Sequence, residues 1–161
     1  MVQPTTSQPP LSGKLPASAP PNTSTLGQLR ASGHQLRTVK QELRHNLLDA
    51  MRAGRDPFPG IIGFEQTVLP HLERAIIAGH DVILLGERGQ GKTRLIRTLT
   101  GLLDEWTPTV AGCEINDHPY APVCARCQRL AAELGDELPV SWRPRDDRYG
   151  EIGRASCRER V

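Results

Sequence analysis

Asp81-Val82-Ile83-Leu84-Leu85 is a short, continuous apolar run bounded by Gly79 and Gly86. Such a run reads as a strand buried on both faces, as in a parallel sheet. It leads straight into Gly86-Glu87-Arg88-Gly89-Gln90-Gly91-Lys92-Thr93, which fits G-x-x-x-x-G-K-[ST] in full. From Lys92 onward, Leu95, Ile96, Leu99, Leu102 and Leu103 recur at helical spacing. A strand, a glycine-rich loop and a helix in this order leave few ways to fold. Gly86, Gly89 and Gly91 allow the backbone angles that turn successive N–H groups around a phosphate. The helix start adds the positive end of its dipole. Lys92 would reach the β- and γ-phosphates, and the Thr93 hydroxyl would hold Mg2+.

The rest of the chain supplies context. Residues 1–25 hold six prolines, eight Ser or Thr and a single charge, Lys14. That composition cannot offset chain entropy by burial, so a disordered tail is expected over residues 1–27. Residues 28–55 form a helical segment. Ser32 and Gln35 have the spacing of a capping box, Leu36, Val39, Leu43, Leu47 and Met51 follow at helical spacing, and Gly54 is the stop. Arg55–Gly60 is a loop by its Pro and Gly content. Residues 65–78 read as a helix with Pro70 near its first turn and Gly79 at its end. Beyond Trp106 the pattern weakens. Residues 107–123 are loop-like, Ala125–Leu134 is a helix stopped by Gly135, and Leu138–Trp142 is a strand that Pro139 marks as an edge. Arg143–Gly150 is polar and turn-like.

Composition excludes several classes. Lys+Arg 20 against Asp+Glu 18 is too even for a basic nucleic-acid surface, so no nucleic-acid partner is expected. No run is long enough to cross a membrane, and the N-terminus lacks the basic and apolar regions of a secretory signal. Four cysteines in 161 residues do not make a disulfide scaffold, so a cytoplasmic protein is expected.

Phe58-Pro59-Gly60-Ile61-Ile62-Gly63-Phe64-Glu65, a helix, the apolar run and Gly86–Thr93 together resemble the start of an AAA+ ATPase module. The Gly-Glu-Arg-Gly-x-Gly-Lys-Thr form is similar to that of the magnesium chelatase AAA+ subunit, whereas MoxR-like ATPases favour Pro-Pro after the first glycine. The resemblance implies an α/β P-loop NTPase fold, a parallel sheet flanked by helices, over residues 56–151, with ATP and Mg2+ as cofactors. It places Ile61 and Ile62 in the adenine pocket and Gly86, Glu87, Arg88, Gly89, Gln90, Gly91, Lys92 and Thr93 around the phosphates. It also implies a ring of identical subunits that remodels, or inserts metal into, a partner protein complex. A Walker B strand, an arginine finger and a lid do not follow Thr93, so catalytic residues stay unassigned and the N-terminal part of the module is expected. Such a fragment is expected to hydrolyse no ATP by itself.

Cys113, His118, Cys124 and Cys127 form a second constellation, in an insertion over residues 113–127. Thiolates and a neutral imidazole are ligands for tetrahedral Zn2+, and C-x-x-C is a common half-site. A non-catalytic zinc-binding interaction module with a vestigial nucleotide loop is therefore an alternative reading, as is an AAA+ nucleic-acid motor. His45, His71 and His80 receive no chemistry, and Glu65 and Glu73 read as helix-surface charges. Glu151–Val161 resembles one translated frame of a sequencing adapter, so residues 152–161 are expected to be an artefactual tail and the parent chain to continue differently. Without that tail the charges balance, and three cysteines remain.

Overall fold

A computed structural model describes residues 18–87 and 90–155, the last three as helix backbone only. Residues 1–17 of the expected tail, Arg88 and Gly89 of the glycine loop, and residues 156–161 lie outside the described residues. Helices α1 (Leu26–Ala31), α2 (Val39–Arg52), α3 (Val68–Ala78) and α4 (Lys92–Thr100) are followed by strand β1 (Trp106–Val110). Helix α5 (Ala125–Leu134), strand β2 (Val140–Pro144) and helix α6 (Tyr149–Ala155) complete the order.

The larger core is helical. Leu43 and Leu47 of α2, Leu69, Leu72 and Ile76 of α3, Leu95, Ile96 and Leu99 of α4, and Ile152 of α6 bury together with Phe58 and Ile61. The α2 register differs from the expected one. Thr38, not Ser32, is the N-cap: its hydroxyl accepts from Gln41 N at 3.3 Å, and the Gln41 side chain accepts from Thr38 N at 2.9 Å. Ser32 instead ends α1, donating its hydroxyl to the Leu29 carbonyl at 2.7 Å. Leu36 and Met51 are left exposed, at 48% and 45%. Gly54, at φ 62, closes α2 with Arg55 N donating to Ala50 O at 2.9 Å. Gly79 ends α3 in the same way, at φ 72, and Pro70 sits in that helix's first turn.

A smaller core lies at the other end. β1 and β2 pair antiparallel, from Trp106 opposite Pro144 to Val110 opposite Val140. Leu26, Val110, Cys127 and Leu138 are its fully buried members. β1 occupies part of the span read as a loop, with Pro108 opposite Trp142. The C-terminal end of the expected tail packs here too. Val140 N donates to Ser24 O at 2.8 Å, Leu26 N to Leu138 O at 2.9 Å, and Trp142 Nε1 to Thr23 O at 2.8 Å. Residues 23–26 thus satisfy backbone beside β2 that would otherwise face water.

Two further expectations change. The described residues hold one two-stranded antiparallel sheet and no parallel one. Asp81–Leu85 forms no ladder there, and Ile83 and Leu85 are 61% and 82% exposed. The polar stretch Arg143–Gly150 is also not simply a turn. It carries a 3-10 turn (Arg145–Arg148) and the start of α6, which runs past residue 151, so Ile152 of the supposed appended tail is fully buried.

The cores meet at a buried ion pair. Glu42 of α2 and Arg148 are both 4% exposed. Arg148 Nη1 and Nη2 donate to the two Glu42 oxygens at 2.8 Å each, and Nη1 also donates to Thr107 Oγ1 at 2.6 Å. Asp104 N donates to Glu42 Oε1 at 2.5 Å, and Arg148 Nε to Glu151 Oε2 at 2.9 Å. Removing one partner leaves the other charge buried and uncompensated. Glu42→Ala is therefore expected to cost about 3–5 kcal/mol, read from the denaturant midpoint. Lys40→Ala, which breaks the exposed Lys40–Asp81 pair, is expected to cost under about 1 kcal/mol.

Candidate functional site

The start of α4 is built by a backbone constraint. Gly91, its N-cap, has φ 74 and ψ 7, and among the described residues no side chain caps the N–H groups of the first turn. Those donors face outward with the positive end of the helix dipole behind them. Lys92 folds back over the loop, its Nζ donating to Gly86 O at 2.8 Å and Glu87 O at 2.7 Å. The Gln90 side chain accepts from Glu87 N at 3.1 Å. The ammonium group is thus held against the carbonyls of the glycine loop. Thr93, the expected Mg2+ ligand, is exposed in the first turn of α4.

Gln90, Gly91, Lys92 and Arg94 line a cavity of about 1250 Å³ whose other walls include Ile61, Ile62, Phe64, His71, Leu72 and Val82, with Thr93 outside its lining. Ile61 is buried and Ile62 is 83% exposed, so the first is wall and the second is rim. Ile61 and Ile62 of the expected adenine residues, and Gln90, Gly91 and Lys92 of the expected phosphate residues, some thirty positions apart, line that cavity together. Glu65 is a surface charge as expected, but it lies in the turn before α3, not on the helix. Both of its oxygens accept from Gly63 N, at 3.0 and 2.9 Å, which fixes the turn after Ile62. Its own N–H and that of Gly63 hold its carboxyl below the usual range. Arg94 reaches across to the same turn, its Nη2 3.4 Å from where a side chain on Gly60 would begin.

The cysteine constellation comes together with one exchange of member. Cys113, Cys124 and Cys127 converge, but His118 does not join them. Its Nε2 lies 3.3 Å from His34 Nε2, and its Nδ1 accepts from Tyr120 N at 3.1 Å. Burial, then the nearby His34 and Arg148, push His118 down to about 4, so it is neutral near pH 7. The fourth donor is Asp117, and the four donor atoms all lie within 4.8 Å of one another. Burial works to raise the Asp117 carboxyl, but Cys124 N–H and other donors bring it below its ordinary value. Asp117 was legible only as a carboxylate four residues after Cys113, the same offset that allows its N–H to reach Cys113 Sγ.

No protein-family model matches the chain, and no solved structure matches it. The hemin import ATP-binding protein HmuV of Nocardia farcinica is 34% identical over 99 residues, covering 58% of this chain and 31% of that protein. Magnesium-chelatase subunit ChlI of Nostoc sp. is 35% identical over 91 residues, 54% of this chain and 24% of that protein. A chloroplastic subunit of the same kind from Arabidopsis thaliana is 36% identical over 88 residues, 52% of this chain and 20% of that protein. The chain spans a fifth to a third of the length of these relatives. They support a relationship to P-loop ATPases, and at near-equal identity they divide between importer and chelatase subunits. No helix among the described residues is long and apolar enough to cross a membrane.

The left-handed Gly91 gives a clean test of the loop. Nothing lies within 4 Å of where its side chain would begin, so Gly91→Ala adds no clash and only backbone strain. A loss of about 1–2 kcal/mol in chemical denaturation is expected, against a near-neutral result for Gly150→Ala, which is equally open and has no left-handed φ.

Proposed function

We propose that the chain binds Mg2+-ATP in the cleft between the Phe58–Phe64 turn and the start of α4, as the nucleotide-binding part of an AAA+ ATPase of the magnesium-chelatase kind. The observation that carries this reading is the shared cavity: an apolar wall of Ile61 and Leu72 faces Gly91 and Lys92 across one opening. At about 1250 Å³ the cavity exceeds the roughly 300–1000 Å³ of common ligand clefts, so it has room for a nucleotide. Uncapped N–H groups at α4 and the Lys92 ammonium would take the phosphates. Thr93 would hold Mg2+, which neutralises phosphate charge when bound. Ile61 would exclude water from one face of the base, and Ile62 would close its rim. Arg88 and Gly89 belong to the same loop by sequence. In this reading Asp81–Leu85 is the strand that delivers the loop within a parallel sheet. Ile83 and Leu85 are exposed and line the same opening, so the apolar side of the cleft extends to them.

The resemblance to the chelatase subunit supports the finer reading: a ring of identical subunits that couples ATP turnover to remodelling, or metal insertion, in a partner complex. Its arginine finger would come from a neighbouring subunit.

Titration of the purified chain with a fluorescent ATP analogue in Mg2+ tests the proposal. Saturable binding is expected, displaced by ATP and weakened about tenfold or more in Lys92→Ala through loss of a charge-assisted contact. Ile62→Asp is expected to lower affinity for ATP more than for inorganic triphosphate, because Ile62 is exposed at the rim of the base side and lies outside the buried core. Equal binding by wild type and Lys92→Ala, with matching circular dichroism, contradicts the assignment.

A further inference from the structure

The smaller core has very little apolar mass for a structure that holds two strands and two helices together. Its fully buried members are Leu26, Val110, Leu138 and a cysteine, Cys127. Cores this small usually need a covalent or metal staple. The cysteines stand where a staple would act. Cys113 follows β1, in a turn that Val110 N anchors by donating to Asp117 O at 2.8 Å. Cys124 is the N-cap of α5, and Cys127 lies in that helix's first turn.

We propose that Cys113, Asp117, Cys124 and Cys127 bind one Zn2+ through three sulfurs and one carboxylate oxygen, and that this ion pins β1 to α5. Three independent features support it. The first is spacing. Cys113 Sγ and Cys124 Sγ lie 4.0 Å apart, close to the roughly 3.8 Å edge of a tetrahedron with Zn–S bonds of about 2.3 Å, and far beyond a disulfide's roughly 2.05 Å. The second is the backbone around the sulfurs. Asp117 N donates to Cys113 Sγ and Cys127 N to Cys124 Sγ, each at 3.3 Å, the contacts that hold thiolates in place around a metal. The turn needed for the first contact puts Asn116 at φ 57, the only non-glycine with positive φ among the described residues. The third is charge. Asp117 is 5% exposed and has no cationic side chain paired with it among the described residues. Its Oδ2 accepts from Cys124 N at 2.9 Å, and the carboxylate still has lone pairs beside three thiols, a donor set that a cation completes.

The donor set selects the ion. Three soft sulfurs disfavour Mg2+ and Ca2+, which take oxygen ligands, and a closed set of four suits a structural site. His118 is not a ligand, because its ring is engaged by His34 and Tyr120 N. The inference stands apart from nucleotide binding, since none of the four donors lines the nucleotide cleft.

The test is metal stoichiometry of the full chain, reduced and reconstituted with Zn2+ or Co2+ and freed of excess ion. About one Zn2+ per chain is expected. The Co2+ form should show sulfur-to-metal charge transfer and the intense visible bands of a tetrahedral site. Cys124→Ser should lose the ion. Asp117→Asn, which preserves shape, should bind about tenfold or more weakly in competition with a chromophoric chelator, and His118→Ala and Lys92→Ala should retain full stoichiometry. Should Cys124→Ser fail to fold, the Co2+ spectrum of the wild type and the Asp117→Asn competition still decide. Absence of metal from the reconstituted chain overturns the proposal. So does wild-type affinity in Asp117→Asn, loss of zinc in His118→Ala, or a Cys113–Cys124 disulfide formed in place of the site.

Discussion

The buried pair of Glu42 and Arg148 ties together parts of the chain that hydrophobic contact alone would leave loosely related. Glu42 belongs to α2, and Arg148 lies 106 residues later, at the entry to α6. Between them they also take Asp104 N and the Thr107 hydroxyl. Asp104 lies just past the end of α4, whose other end is the glycine loop. The helix that presents Gly91 and Lys92 is therefore packed through Leu95, Ile96 and Leu99 along its length and pinned at its exit by a carboxylate on α2. Asn46, one turn further along α2, adds bonds to Leu102 O at 2.8 Å and Asp104 Oδ1 at 2.9 Å. A buried ion pair adds little net stability over an apolar substitute, but it tolerates few alternative arrangements, and here it fixes where the two cores meet.

Each core presents a different chemistry from that junction. On the helical side, the turn after Phe58 brings Ile61 against the start of α4, and Glu65 and Arg94 brace that turn from two directions. On the strand side, the end of β1 and the start of α5 bring three sulfurs and one carboxylate together. Lys92 and the cysteine cluster share no lining residue, so nucleotide and metal would act through separate elements of one frame.

The sequence was most readable where local physics decides the outcome. Ala125–Leu134 and its stop at Gly135, the α3 helix with Pro70 in its first turn, and the start of α4 at Lys92 all follow from propensity, proline and glycine. It was least readable where a distant partner decides. Arg148 looked like one more charge in a polar stretch, and only Glu42 makes it a core residue. The Ser32–Gln35 capping box was a fair local choice, but Thr38 with Gln41 offers the same box in a register that buries Leu43 and Leu47. Asp81–Leu85 has the composition of a buried strand, yet no described strand lies beside it. His118 had the right chemistry for zinc, but His34 and Tyr120 hold its ring elsewhere, and Asp117 takes the place expected for it. In the candidate cleft, the two segments that line it were legible, because a glycine loop and the turn bearing Ile61 are each short-range features. The bracing by Glu65 was not, because it depends on where the Gly63 N–H points.

The central claim is that base and phosphates of one nucleotide span the cleft from Ile61 to Lys92. Photolabelling with an azido-adenine ATP analogue, followed by peptide mapping, tests it most directly. The account predicts Mg2+-dependent label, competed by ATP, on the segment from Gly60 to Leu72. Label confined to the cysteine-bearing segment, or label on Gly60–Leu72 that ATP fails to compete, would contradict it.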